Sequence, residues 1–125
     1  MANECIPFKQ PGTEVTGQAS AAVTGKRFLA ITGNMQTDGS ITVAHATAAG
    51  RICGVAKYDA ASGAKVGVIR GSKAVVPVTA GGTIAAGAEV EVGTNGQAVT
   101  KSAGVAVGYV ETGATNGNDA RVVLY

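Results

Sequence analysis

The chain has 125 residues, a formal net charge of +2, 14% charged residues, 19 glycines, one histidine and no tryptophan. Its ten Lys and Arg residues are scattered, with Lys26-Arg27 the only adjacent pair, so the basic stripe that phosphate recognition needs is missing. Ala and Val dominate the 46% hydrophobic fraction; burying such small side chains gains little at roughly 25 cal/mol per Å², so assembly with copies of itself or with a larger surface is expected to supply the missing burial.

The chain starts Met1-Ala2-Asn3-Glu4, without the basic start and apolar core of a secretory leader. No apolar run approaches the ~20 residues that span a bilayer. The expectation is a soluble protein made in a cytoplasm. Residues 1–24 read as an extended arm, because Pro7 and Pro11 oppose helix at themselves and at the residue before. Cys5, Ile6 and Phe8 give this arm apolar anchors, and an edge strand fits near Thr13–Thr16.

Residues 25–125 read as a single β domain, with a period of two and no sustained helical stripe. Phe28–Ile31 is a buried strand. In Ile41–His45 the residues Ile41, Val43 and His45 share a face. Arg51–Lys57 and Lys65–Arg70 follow, with room for a helical turn at Asp59–Ser62 between them. Ala74–Ala80 contains Pro77, which places it at an edge or a bulge. Glu89–Val92 alternates polar and apolar residues, and Asn95-Gly96 then signals a type I′ hairpin into Gln97–Thr100. Val105–Val110 and Arg121–Tyr125 complete the set. Asp38-Gly39, Gly81-Gly82 and Asn116-Gly117 mark the breaks. The fold class is all-β: a small Gly-rich antiparallel β-barrel or sandwich with an extended N-terminal arm.

A faint repeat runs through the chain. Gly54-Val55-Ala56 returns as Gly104-Val105-Ala106, Gly63-Ala64 returns as Gly113-Ala114, and Lys65–Val68 resembles Arg121–Leu124. This suggests two related β-turn-β units in pseudo-symmetric positions of one barrel.

Reactive groups are few. His45 has no metal-ligand spacing to either cysteine and reads as a core-edge or interface residue. Cys5 and Cys53, far apart and outside any CxxC pattern, read as two small buried thiols rather than a disulfide. Glu89 and Glu91 share one strand face and read as a solvated face. The nearest approach to a phosphate-binding loop, Ser20–Arg27, has Ser20 in place of its first glycine and Arg27 in place of its Ser/Thr, which excludes nucleotide hydrolysis. No catalytic, cofactor or metal residues emerge.

The run Gly50-Arg51-Ile52-Cys53-Gly54-Val55-Ala56 resembles a segment of the small capsid cement, or head-decoration, proteins of tailed bacteriophages. The likeness continues through Gly63-Ala64-Lys65-Val66, Val75-Val76-Pro77-Val78, Ile84–Val90, Gly96–Val99 and Gly104–Gly108, and covers residues 12–125. It implies a non-enzymatic virion protein without cofactor, made in the host bacterial cytoplasm. Such a protein binds the capsid exterior as a homotrimer and clamps neighbouring major capsid proteins, touching neither nucleic acid nor membrane. The candidate capsid-contact residues are then on the arm: Cys5, Ile6, Pro7, Phe8, Lys9 and Pro11. The alternative is a carbohydrate- or receptor-binding β module of a phage fibre or adhesin. The lack of tryptophan and the presence of only Tyr58, Tyr109 and Tyr125 weigh against it.

Overall fold

Short runs of Val, Ile, Thr and Ala between glycine turns fold as ten strands in the computed structural model, which describes residues 3–9 and 11–125. Met1, Ala2 and Gln10 of the expected arm lie outside the described residues. The strands are β1 (Glu14–Ala19), β2 (Phe28–Gly33), β3 (Ile41–His45), β4 (Gly54–Ala56) and β5 (Lys65–Ile69), then β6 (Val75–Thr79), β7 (Glu89–Val92), β8 (Ala98–Thr100), β9 (Gly108–Val110) and β10 (Asp119–Leu124).

The first five strands form a closed barrel in the order β1-β3-β2-β4-β5. Its interior is the cluster of Val15, Ala19, Val23, Leu29, Ile41, Val43, Ala56, Ala60, Val66 and Val68. The expected strand near Thr13–Thr16 is therefore β1, but it is no edge strand: it pairs with β3 on one side and β5 on the other. The expected antiparallel arrangement also needs one correction. β1 and β3 run parallel, through Gly17↔Ile41 to Ala19↔Val43. Directions cannot alternate all the way around a ring of five strands, so one neighbouring pair must run parallel.

The last five strands repeat this plan in the order β6-β10-β9-β7-β8. Register corresponds along most of the pairings. Val15↔Val68 has its counterpart in Val76↔Val122. The isolated antiparallel bridge Val23↔Ala60 returns as Ile84↔Ala114, and the Lys57 N–H to Gly67 O bond returns as Glu111 N–H to Arg121 O. The parallel β1–β3 seam survives as a single parallel bridge, Ala80↔Ala98. A repeat is thus present, but not in the register read from the sequence. The partner of Gly54–Ala56 is Gly108–Val110, while Gly104-Val105-Ala106 precedes that strand as an irregular segment. Gly and Ala recur often enough here for a false alignment to resemble the true one.

Residues 25–28 from the first half occupy the loosened seam of the second. The Gly25 N–H donates to Asp59 Oδ1 at 2.8 Å. Thr79 N–H donates to Lys26 O at 3.0 Å, and the Arg27 guanidinium donates to Asn95 O at 3.1 Å. Phe28 is 0% exposed and belongs to the second core, with Val76, Val90, Val110, Val122 and Leu124. The Asn95-Gly96 hairpin is present, with both residues at positive φ (53° and 73°) and Gln97 N–H bonded to Thr94 O. A side chain on Gly96 would come within 2.6 Å of Phe28 O, so the turn demands glycine for space as well as for conformation.

Pro77 lies on β6, which borders the seam and pairs along its strand length only with β10. Its missing N–H therefore interrupts no ladder. The expected helical turn at Asp59–Ser62 is absent: Ala60 bridges to Val23, and a simple turn follows, with Ala64 N–H bonded to Ala61 O.

Candidate functional site

The arm leaves the barrel at a defined hinge. Arg70 N–H donates to Thr13 O and Arg70 Nε–H to Gly12 O, both at 2.9 Å, and the chain turns at Gly12 with φ of 75°. Before that point Cys5, Ile6, Pro7, Phe8 and Pro11 are exposed, and Lys9 is half-buried. Ile6 is 71% and Phe8 103% exposed, so these apolar side chains bury almost nothing on their own body. The six sequence-derived candidates thus lie on one segment ahead of the hinge, five of them exposed.

A second feature stands beside the hinge and escaped the sequence reading. The β2–β3 hairpin carries a long tip, residues 34–40, with Met35 exposed at 62%. The tip is braced from within: Gln36 N–H bonds Ser40 O, Ser40 N–H bonds Asp38 Oδ1, and the Thr42 hydroxyl bonds Asn34 O. Lys65 Nζ ties it to the barrel through Asp38 Oδ2, Gln18 Oε1 and Ser40 Oγ, at 2.8–3.0 Å. The Lys65 ammonium, then the Ser40 N–H, hold the Asp38 carboxyl well below the usual carboxylate range. Between tip and arm runs an open groove of about 1130 Å³. Asp38-Gly39 signalled a turn locally, but no local signal shows which neighbour a turn will face.

The remaining polar groups build no reactive centre. His45 Nε2 accepts the Thr24 N–H at 2.9 Å. Burial, aided by the Arg27 cation, lowers its pKa below the ordinary 6.5. The neutral ring is therefore favoured in the folded chain. Its stabilisation is complete above pH 6.5 and is lost as the pH falls through the lowered folded value. The melting temperature is expected to drop between pH 7 and 5, with a shallower drop in His45→Gln; parallel melting curves for the two proteins would remove His45 from the account.

The two cysteines are free but unlike. Cys53 is half-buried and its thiol is pushed up to about 11 by burial, whereas Cys5 is exposed on the arm, against the expectation of two buried thiols. Glu89 and Glu91 also part company. Glu89 is exposed and accepts the Tyr125 hydroxyl at 2.6 Å, a bond that raises the tyrosine pKa. Glu91 is only 8% exposed: Gly104 closes over its carboxylate, and Ser102 N–H donates to Oε1 at 3.1 Å. The solvated face expected from the β7 pattern is thus half covered, because the loop before β9 folds back on it. Tyr109 and Tyr125 meet on the second sheet as a tilted pair, with centroids 6.0 Å apart and planes at 43°, while Tyr58 lies beside Gly25 on the barrel. Among the described residues no group of three His, Cys, Asp or Glu side chains is placed to hold a metal ion. No helix among the described residues is long and apolar enough to cross a membrane.

A family model described as phage cement protein matches residues 9–125. The chain belongs to the phage cement protein family. A cement protein is a structural component of the virion that binds the phage capsid, and it is not an enzyme. The fold is similar to that of the N base of the head fiber gp8.5 in bacteriophage phi29. The TM-score is 0.75 with 27% sequence identity, over 90% of this chain and 92% of that one. No curated protein matches the chain.

Proposed function

We propose that this cement protein sits on the capsid exterior as a homotrimer and grips the major capsid protein through its N-terminal arm. Synthesis in the host bacterial cytoplasm precedes attachment. The observation that carries this reading is the arm itself. Its hinge is fixed by Arg70, while Phe8 and Ile6 are left exposed. An extended segment of this kind can add main-chain hydrogen bonds along a neighbour's sheet edge and seat its alternate side chains in pockets. Three arms on one trimer gain about 10²–10⁴ in avidity where geometry permits simultaneous binding. Because the protein binds the assembled lattice and not its separated subunits, occupancy stabilises the shell by linkage. This mechanism needs neither nucleic acid, membrane nor cofactor.

The experiment is direct. Purified protein is mixed with procapsids and with expanded shells that lack it. Saturating binding to expanded shells in multiples of three chains, with a rise in shell melting temperature, is the expected result. Failure to bind either particle overturns the reading.

A further inference from the structure

The internal repeat supplies a comparison within one molecule. The connection joining β7 and β8 in the second half is the tight turn 93–97, while the corresponding connection in the first half is the longer tip 34–40. The first half also carries the arm, whereas the chain segment preceding β6 is the short link from β5. The second half pairs its strands in the same order without either addition, so neither is needed for that pairing. Both additions border the same groove, which lies between Phe8 and Pro11 on one side and Met35 on the other.

The chemistry of that groove is specific. Phe8 and Met35 offer exposed apolar surface. Three cations line it, Lys9, Lys65 and Arg70, against two carboxylates, Glu14 and Asp38. Each carboxylate already holds a lysine at 2.8 Å, Glu14 with Lys57 and Asp38 with Lys65. The balance left to an incoming partner is therefore positive, from Lys9 and Arg70. The walls are set in advance by the braced tip and by the Arg70 hinge, which reduces the ordering cost of binding.

We infer that this groove is the seat of an extended shell-protein segment in which a carboxylate is flanked by apolar side chains. The inference rests on the capsid-binding reading above and gives it a second contact, distinct from the arm's own insertion into a neighbour. A second copy of this chain fits less well as occupant: its arm brings one carboxylate, Glu4, and one cation, Lys9, and so offers no net charge to a positive groove.

The test uses expanded shells and the full chain. Met35→Glu and Lys9→Glu change exposed or half-buried side chains outside the core, so the fold is retained. Each is expected to weaken shell binding by about tenfold or more, while Val105→Glu, exposed on the second half, leaves it unchanged. Wild-type binding is expected to weaken as salt rises. A photo-crosslinking side chain installed at Met35 is expected to capture a shell subunit at an acidic, apolar-flanked segment. Capture of another copy of this chain, capture of a basic segment, or wild-type affinity in both groove variants would overturn the groove while leaving capsid binding intact. Failure of the wild type itself to bind shells would instead remove the reading beneath it, and the groove with it.

Discussion

Phe28→Ala is expected to be the most damaging single substitution in the body. The side chain is fully buried and extends from a strand of the barrel into the core of the second, five-stranded sheet. Truncating a buried phenylalanine costs about 3–5 kcal/mol, since the lost transfer energy is joined by a cavity that small neighbours refill poorly. The neighbours here are mostly valine and alanine, including Val76, Val78, Ala80, Val90 and Ala98. They are short, β-branched or fixed in strands, so they reach little of the space a ring leaves. Against a typical domain stability of about 5–15 kcal/mol, this loss is a large fraction. Calorimetry should show a melting temperature lower by about 10–20 °C. Hydrogen exchange should speed up at β6 and β8, because the 25–28 wedge bridges their open seam. A fall under about 3 °C, or exchange confined to the barrel, would contradict the role given to Phe28.

The second large effect concerns binding rather than stability. Deleting residues 1–11 is expected to leave the melting temperature within about 2 °C, because the exposed arm side chains contribute almost no burial. The cut falls before Gly12 and Thr13, so both hinge acceptors of Arg70 remain. Attachment to expanded shells should nevertheless weaken by about 10² or more, since every copy in an assembly loses its grip at once and avidity multiplies the loss. Phe8→Ala is the finer version, expected to reproduce part of the loss with the backbone of the arm intact. Undiminished attachment of the truncated protein would show that the arm is not a capsid contact. Unfolding of the truncated protein would place the arm in the core, against its exposure in the structure.

These two expectations separate the molecule into a body and what the body presents. β2, β3, β5, β6 and β7 were legible in the sequence nearly to the residue. Alternation of Val and Ile with polar residues has one physical cause, a pleated surface with one dry side. Asn95-Gly96 was legible for a similar reason, since few dipeptides tolerate two consecutive positive φ values. Pro77 announced its own position because it has no N–H to give. The resemblance to cement proteins rested on the order and spacing of such Gly/Ala/Val elements.

What escaped the sequence has a physical reason in each case. Thr13–Thr16 looked like an edge strand because it was read as part of the extended arm 1–24, yet β1 closes a ring that leaves no edge, and its polar side faces outward. Glu91 carries the same local pattern as Glu89; only the folded-back loop at Ser102–Gly104 distinguishes them. The duplication was visible in outline but in the wrong register, because true equivalence lives in hydrogen bonds such as Val23↔Ala60 and Ile84↔Ala114, not in the recurrence of glycine.

The sequence by itself determined an all-β body, poor in reactive groups, with an apolar arm ahead of it. Period-two burial, turn geometry and proline stereochemistry act over a few residues, and so they can be read along the chain. Only the tertiary structure decided that the body is a closed barrel and an open sheet of the same strand order, joined through Phe28, and that a hairpin tip and the arm meet across a positively charged groove. Those outcomes depend on contacts between segments far apart in sequence, which chain closure and core packing select together.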